Sequence, residues 1–304
     1  MTVSTRRSGP GLRALLAGGG LLGLAAQPAE AIPIDPSSST VGWTPIAYPT
    51  LLPDFSDDQR TGIPEADIVG DTSNPAFYFR FDDAGTPSTT DGAIGFRVRI
   101  GADKNPSGFE HFMGVGIDAD ANGALDLFLA VENSGNPDQV GIFDAGSGAN
   151  TSPSTTSIVS SPLASYALSV SNYDFGAVNA TIDPTATTFD IDADGDTDQF
   201  LTWVVPFADL VAALAGQGFS GFDDGSAMRF VLGSSTQPNA LNQDLGGPNG
   251  GTSSTSTWST LGAFSNSATA AGGFAPIPEP NTATLLSLGL LALAVGARRT
   301  SGPR

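Results

Sequence analysis

The sequence predicts an all-β protein, an antiparallel β-sandwich of jelly-roll-like build with one short helix. Three observations carry this. Apolar residues recur at every second position in stretch after stretch of the middle of the chain, which is the period of a half-buried strand. Charged residues make up only 14% of the total, while 38 glycines and 22 prolines punctuate the 304 residues, a mix suited to short strands joined by many turns. Only one segment has the spacing and end signals of a helix. Two stacked sheets would bury one face of each strand and so account for the alternation.

The elements follow in order. In "AFYFRFDD", Phe77, Phe79 and Phe81 share one face, opposite Tyr78 and Arg80. In "AIGFRVRIG", Ile94, Phe96, Val98 and Ile100 face inward, which turns Arg97 and Arg99 outward. His111, Met113, Val115 and Ile117 share the next face, and Leu125, Leu127, Leu129 and Val131 the one after. Further strands are expected near 139–143, 164–170, 175–182, 186–191, 199–205 and 227–233. The helix is "PFADLVAALAGQG": Pro206 opens it, Leu210, Val211 and Leu214 form its apolar stripe, and Gly216 ends it.

Charge narrows the function. The net charge is −19, which repels nucleic acid and anionic membrane and attracts cations. There is no cysteine and a single histidine, and no G-x-S-x-G, which leaves little room for thiol or Ser-His-Asp catalysis. The carboxylate doublets Asp82–Asp83 and Asp223–Asp224 make poor acid/base pairs, because neighbours on a strand point to opposite faces.

Both ends read as addresses around a body at 32–245. Residues 1–31 have the form of a signal peptide: basic Arg6, Arg7 and Arg13, an apolar helix from Leu15 to Ala26, and Ala29-Glu30-Ala31 before the expected cut. Ser8-Gly9-Pro10 departs from the residues that follow a twin-arginine pair, so the general secretory route is expected; the alternative is an uncleaved anchor. Residues 246–275, rich in Ser, Thr, Gly and Ala, have the composition of a flexible spacer. Residues 276–304 contain an apolar helix, Thr282–Ala297. At 1.5 Å per residue it would span about 24 Å, a marginal membrane crossing. Arg298 and Arg299 behind it would stay on the cytoplasmic side.

With Pro278-Glu279-Pro280 ahead of that helix and the arginines behind, this end closely resembles the PEP-CTERM sorting signal of Gram-negative bacteria. The resemblance implies recognition by an exosortase, transient anchoring in the inner membrane, removal of the helix, and delivery to the outer surface or extracellular matrix. Loss of a hydrophobic tail on sorting parallels a GPI signal. The alternative is a plain tail anchor.

Two aspartate loops carry the clearest chemistry. "DADANGALD" holds Asp118, Asp120, Asn122, Ala124 and Asp126; "DIDADGDTD" holds Asp190, Asp192, Asp194, Asp196 and Asp198. Both fit D-x-[DN]-x-[DN]-G-x-x-D. Oxygens at positions 1, 3, 5 and 9, with the position-7 carbonyl of Ala124 or Asp196, can converge on a hard cation, and calcium wants six to eight such ligands. Each loop resembles the first nine residues of an EF-hand loop. Position 12 is Leu129 or Leu201, so the bidentate glutamate is missing, and strands rather than helices flank both loops. Glu132 or Asp174 could complete a shell. The alternative is two solvated, metal-free hairpin turns.

"DQFLTWVVPFADLVAAL" followed by "SAMRFVLGSSTQPNALNQDLGG" resembles the DOMON-like, family 9-like carbohydrate-binding sandwiches over roughly residues 76–245. That resemblance implies a calcium-stabilised sandwich that binds sugars or haem. Tyr78, Trp203 and Tyr166 are candidates for sugar stacking, and His111 and Met113 for haem ligation. The expected function is therefore that of an exported, calcium-stabilised structural or adhesive protein of the cell surface or biofilm matrix, not an enzyme, with exosortase as sorting partner and extracellular polysaccharide as a possible one. A carbohydrate-binding module is the alternative, and a secreted hydrolase the more distant one.

Overall fold

The computed structural model describes residues 34–49, 54, 58–104, 108–135, 137–158, 161–238, 240–250 and 254–274. The elements in chain order are β1 (Thr44–Pro45), β2 (Phe77–Asp82), β3 (Ala93–Ile100), β4 (Phe112–Asp118), β5 (Leu127–Glu132), β6 (Gln139–Asp144), β7 (Ala164–Ala167), β8 (Tyr173–Ala177) and β9 (Gln199–Pro206). Then come α1 (Phe207–Gly216), β10 (Arg229–Ser235), β11 (Asp244–Leu245), α2 (Trp258–Leu261), β12 (Ala268–Thr269) and β13 (Gly273–Phe274). Five strands form one sheet in the order β1-β2-β3-β9-β8, and six form a second in the order β11-β10-β4-β5-β6-β7. Every pairing is antiparallel. The expected signal segment 1–31, the Pro-Glu-Pro motif and the helix 282–297 lie outside the described residues. Among the described residues no helix is long and apolar enough to cross a membrane.

The inner faces meet through the residues that the period-2 pattern singles out. Phe77, Phe79, Phe96, Val98, Leu201 and Trp203 from the first sheet join Met113, Val115, Leu129, Val131 and Phe230 from the second in one buried cluster. Phe96 packs edge-on against Phe230 with ring centres 5.3 Å apart. Helix α1 adds Phe207, Leu210 and Leu214 to the same cluster, while Val211 is half-buried.

The outer faces depart from expectation, because loops cover them. On the first sheet, Tyr78, Phe200 and Val204 are buried beneath Ile34, Trp43 and Val178. All eight residues of β3 are consequently buried, including Arg97 and Arg99, which alternation alone turns toward water. Arg97 lies over the rings of Trp43 and Phe200, at 4.5 and 5.3 Å. It donates to the carbonyls of Pro36 and Ser38, each at 2.7 Å. The guanidinium thus fastens the N-terminal arm to the sheet through aliphatic contact, cation–π attraction and hydrogen bonds.

On the second sheet, Phe112, Phe128, Phe143 and Val231 are covered by Leu241, Leu245, Trp258 and Phe264. Room for these rings comes from glycine: a Cβ at Gly116 would meet Val231 at 2.7 Å and Phe128 at 2.9 Å. Leu125, expected on the inner face with Leu127, belongs to this outer cluster instead. Residues 246–275, read from composition as a spacer, do not stand clear of the sandwich over their described part. Trp258 is 1% exposed and donates its indole N–H to the carbonyl of Ala149 at 2.9 Å. Residues 186–191 form a loop rather than a strand, held to Asn74 through the amide of Thr187 at 2.8 Å. His111 precedes β4 rather than lying in it.

Candidate metal centres

The first aspartate loop is the hairpin between β4 and β5; the second leads into β9. Strand pairing fixes their ends, and inside they carry the same hydrogen bonds. The position-1 carboxylate accepts from the position-6 glycine amide: Gly123 to Asp118 at 2.9 Å, Gly195 to Asp190 at 3.1 Å. Position 3 accepts from position 5: Asn122 to Asp120 at 3.1 Å, Asp194 to Asp192 at 3.4 Å. Position 5 accepts from position 7: Ala124 to Asn122 at 2.7 Å, Asp196 to Asp194 at 2.8 Å. Position 9 accepts from position 2: Ala119 to Asp126 at 2.8 Å, Ile191 to Asp198 at 3.3 Å.

The backbone agrees. Position 6 is a left-handed glycine in both loops, Gly123 at φ 90° and Gly195 at φ 100°. Position 4 is a left-handed alanine in both, Ala121 at φ 57° and Ala193 at φ 60°. A non-glycine residue there costs about 1–3 kcal/mol. Two loops from different sheets therefore share one strained conformation, in which amides point at carboxylates and hold them in a ring.

The ring brings acids together. In the first loop one oxygen from each of Asp118, Asp120 and Asp126 lies within 4.8 Å of the others, and in the second the same holds for Asp190, Asp192 and Asp194. Asp118 is fully buried, and Asp126 is half-buried. Desolvation first, then the charges of Asp120 and Asp118, pushes the Asp126 carboxyl up to about 6. Desolvation, the adjoining Asp190 carboxyl and the charges of Asp194 and Asp198 likewise push Asp192 up to about 6. Converging carboxylates that resist sharing charge are a ready seat for a metal ion. The amide of Asn122 donates to Asp120 at 3.0 Å, so its side chain braces the ring in this state. Asp196 turns an exposed side chain outward.

Each loop also leans on an arginine from a neighbouring strand, Arg229 in β10 for the first and Arg99 in β3 for the second. Arg229 meets Asp118 at 2.6 Å and lies over Phe264 at 4.8 Å. Arg99 meets Asp198 at 2.6 Å, with both side chains fully buried, and donates to the carbonyl of Thr188 at 2.7 Å. Asp198 is thus committed to Arg99 and stands outside the second trio, unlike Asp126 in the first. Desolvation outweighs the guanidinium and holds Asp198 up to about 6. No sequence spacing links Arg99 to Asp198 or Arg229 to Asp118; only strand pairing does. Of the two residues that could complete a shell, Glu132 accepts from Gln139 at 2.8 Å, and Asp174 lies in β8 opposite Thr202; neither joins an acidic trio.

The other candidates are placed as follows. Tyr78 is 3% exposed and Trp203 0%, so neither offers a stacking face for a sugar. Tyr166 is half-buried and donates to Asp209. Met113 is buried between the sheets. His111 sits 3.1 Å from the fully buried Glu65. Asp82, Asp83 and Asp223 each accept an amide two residues on, from Ala84, Gly85 and Gly225, which is the work of turn-forming aspartates. Comparison with protein-family models, curated proteins and solved structures gave no match to the chain.

Proposed function

We propose that the chain is an exported, calcium-stabilised β-sandwich with a structural or adhesive role at the outer surface or in the extracellular matrix of a Gram-negative cell. The observation that carries the calcium reading is the repeat of one strained, carboxylate-lined loop conformation in two separate sheets. Calcium fits better than magnesium because three converging carboxylates and nearby carbonyls suit its larger, irregular shell. With calcium bound, Asp118, Asp120 and Asp126 would hold one ion and Asp190, Asp192 and Asp194 another, with the carbonyls of Ala124 and Asp196 as further ligands. The ions would pin loops at which strands enter and leave the sheets.

The sorting part of the reading is supported by the sequence of the two ends: the signal-peptide pattern through Ala31, and Pro278-Glu279-Pro280 with Arg298 and Arg299 around an apolar helix. These fit export, capture by an exosortase and loss of the helix. Mass spectrometry of protein extracted from the cell surface tests it. The expected product begins at Ile32 and yields no peptide from residues 282–304; recovery of the intact tail overturns the processing claim. Washing the same cells with a chelator should loosen the protein from the matrix if the sandwich works in its calcium form. A glycan-binding role finds less support, since two of the three stacking candidates, Tyr78 and Trp203, are interior residues.

A further inference from the structure

We propose, resting on the calcium reading of the first aspartate loop, that residues 257–265 are a strap whose seating on the outer face of the second sheet is governed by the ion in that loop. The strap is built locally. Thr257 accepts from the Thr260 amide at 3.2 Å and so caps α2, and Gly262, left-handed at φ 73°, ends it. Trp258 and Phe264 then both reach the buried outer cluster. Ser265 donates its amide to the carbonyl of Phe230 at 2.8 Å, which lays the end of the strap against β10.

The contacts of the strap end on the first loop or on what supports it. Ser259 donates its hydroxyl to the carbonyl of Gly123, the position-6 glycine, at 3.4 Å, and a Cβ on Gly123 would meet that hydroxyl at 2.9 Å. Arg229 lies over the Phe264 ring at 4.8 Å while its guanidinium meets Asp118, at position 1, at 2.6 Å. Trp258 holds the carbonyl of Ala149 at 2.9 Å. The next residue, Asn150, accepts from the Leu125 amide inside the loop at 2.6 Å and donates to the Leu125 carbonyl at 3.2 Å. The second loop has the same backbone but is open at the matching place: a Cβ on Gly195 would find nothing within 4 Å.

Charge sets the direction of the coupling. Asp118, Asp120 and Asp126 are held with oxygens within 4.8 Å of one another, and like charges so placed repel. A cation removes that repulsion and keeps the loop closed. The closed loop is the form that presents the Gly123 carbonyl to Ser259 and Asp118 to Arg229. Arg229 approaches Asp118 through Oδ2, the oxygen that also takes the Gly123 amide, which leaves Oδ1, held by the Asn122 amide at 3.0 Å, to an ion. When the loop opens, Arg229 loses its carboxylate and the strap loses the contact that the arginine anchors. By linkage, the seated strap raises calcium affinity by the same factor by which calcium favours seating, ordinarily about 5–150-fold. The strap precedes the expected sorting segment 276–304 in sequence, so calcium would set how firmly the chain is held to the sandwich just ahead of it.

The test uses the full chain carrying Asp192→Ala, in which only the first of the two loops keeps its trio, and amide hydrogen exchange in calcium and in chelator. The amides of Leu261, Gly262, Ala263 and Ser265, which donate within the strap or to β10, should exchange at least about fivefold faster in chelator. Those of β3, in the other sheet, should change less, and adding Asp120→Ala should abolish the difference. The reverse direction uses Ser259→Ala with Phe264→Leu, neither of which is a metal ligand, with folding checked by circular dichroism. Equilibrium dialysis should show the calcium affinity of the first loop falling by a similar factor. Calcium bound by the first loop with strap exchange unchanged, or changed no more than that of β3, overturns the proposal, as does an affinity unmoved by the Ser259 and Phe264 changes. Failure of the loop reading shows separately: the Asp192→Ala chain and the chain that also carries Asp120→Ala would then bind equal calcium, and the strap proposal falls with it.

Discussion

Calcium removal is the perturbation on which the loop reading depends. Each acidic trio exists only when its loop is closed by the strands around it, so calcium binds the folded chain in preference to the unfolded one. At a hundredfold excess over Kd, one such site adds about 2.7 kcal/mol. The first loop joins β4 to β5 in the six-stranded sheet, and the second enters β9 in the five-stranded one. They share no ligand, so their effects should add, giving about 5 kcal/mol. For a domain of this size each kcal/mol moves the melting temperature by about 2–4 °C, hence a shift of about 10–20 °C from the two loops. Scanning calorimetry in chelator and then in excess calcium measures it. Asp120→Ala should remove about half of that shift, Asp192→Ala the other half, and the double variant both. The loops' share is the difference in calcium response between the unaltered chain and the double variant. A difference near zero refutes the reasoning, whatever calcium does elsewhere in the molecule.

Other outcomes follow from particular contacts. Trp258→Ala should cost about 3–5 kcal/mol in chemical denaturation, because the indole is buried among Phe128, Phe143 and Leu245; a loss under about 1 kcal/mol would mean that the segment is a spacer after all. Gly116→Ala should cost about 1–3 kcal/mol through overpacking against Val231 and Phe128. Arg99→Met strands the buried Asp198 and should cost about 3–5 kcal/mol. Since Asp198 is already held up to about 6 and would rise further, that deficit should grow as pH rises above about 6 and shrink below it; a pH-independent deficit would contradict this. The phenols of Tyr48, Tyr78, Tyr166 and Tyr173, all four of the chain, are raised, by burial first in each case. The stability they contribute is complete below about pH 10, the unfolded value, and is lost above it. Tyrosinate absorbance should therefore appear together with alkaline unfolding, and appearance well before unfolding would sink the claim.

The inner core was legible in the sequence because alternation is a local property. Phe77, Phe79, Phe96 and Val98 announce their face by spacing alone, and α1 by its Pro206 start. The two aspartate loops were legible for the same reason, since their internal hydrogen bonds join residues two to seven positions apart. What covers the outer faces was not. The segments carrying Ile34, Trp43, Leu241 and Trp258 have no periodicity, and the arm with Trp43 covers Arg97 while the loop with Thr188 and Asp198 holds Arg99, two arginines that by pattern look solvent-facing. Serine- and threonine-rich composition hid Trp258 in what reads as a linker. The arginines beside the loops depend on pairings between distant strands that no spacing records.

The rims of the two sheets have a consequence for behaviour in a crowd. The first sheet ends on β1, two residues long and containing Pro45, and on the five-residue β8 with Asp174. The second ends on β11, two residues long, and on β7, four residues long. An open edge invites another chain to add a strand, and short, charged or proline-bearing edges discourage it. With both broad faces roofed by loops and all four rims this brief, the sandwich offers little template for growth. Packed side by side at high density, its copies should stay separate molecules rather than fuse into fibrils.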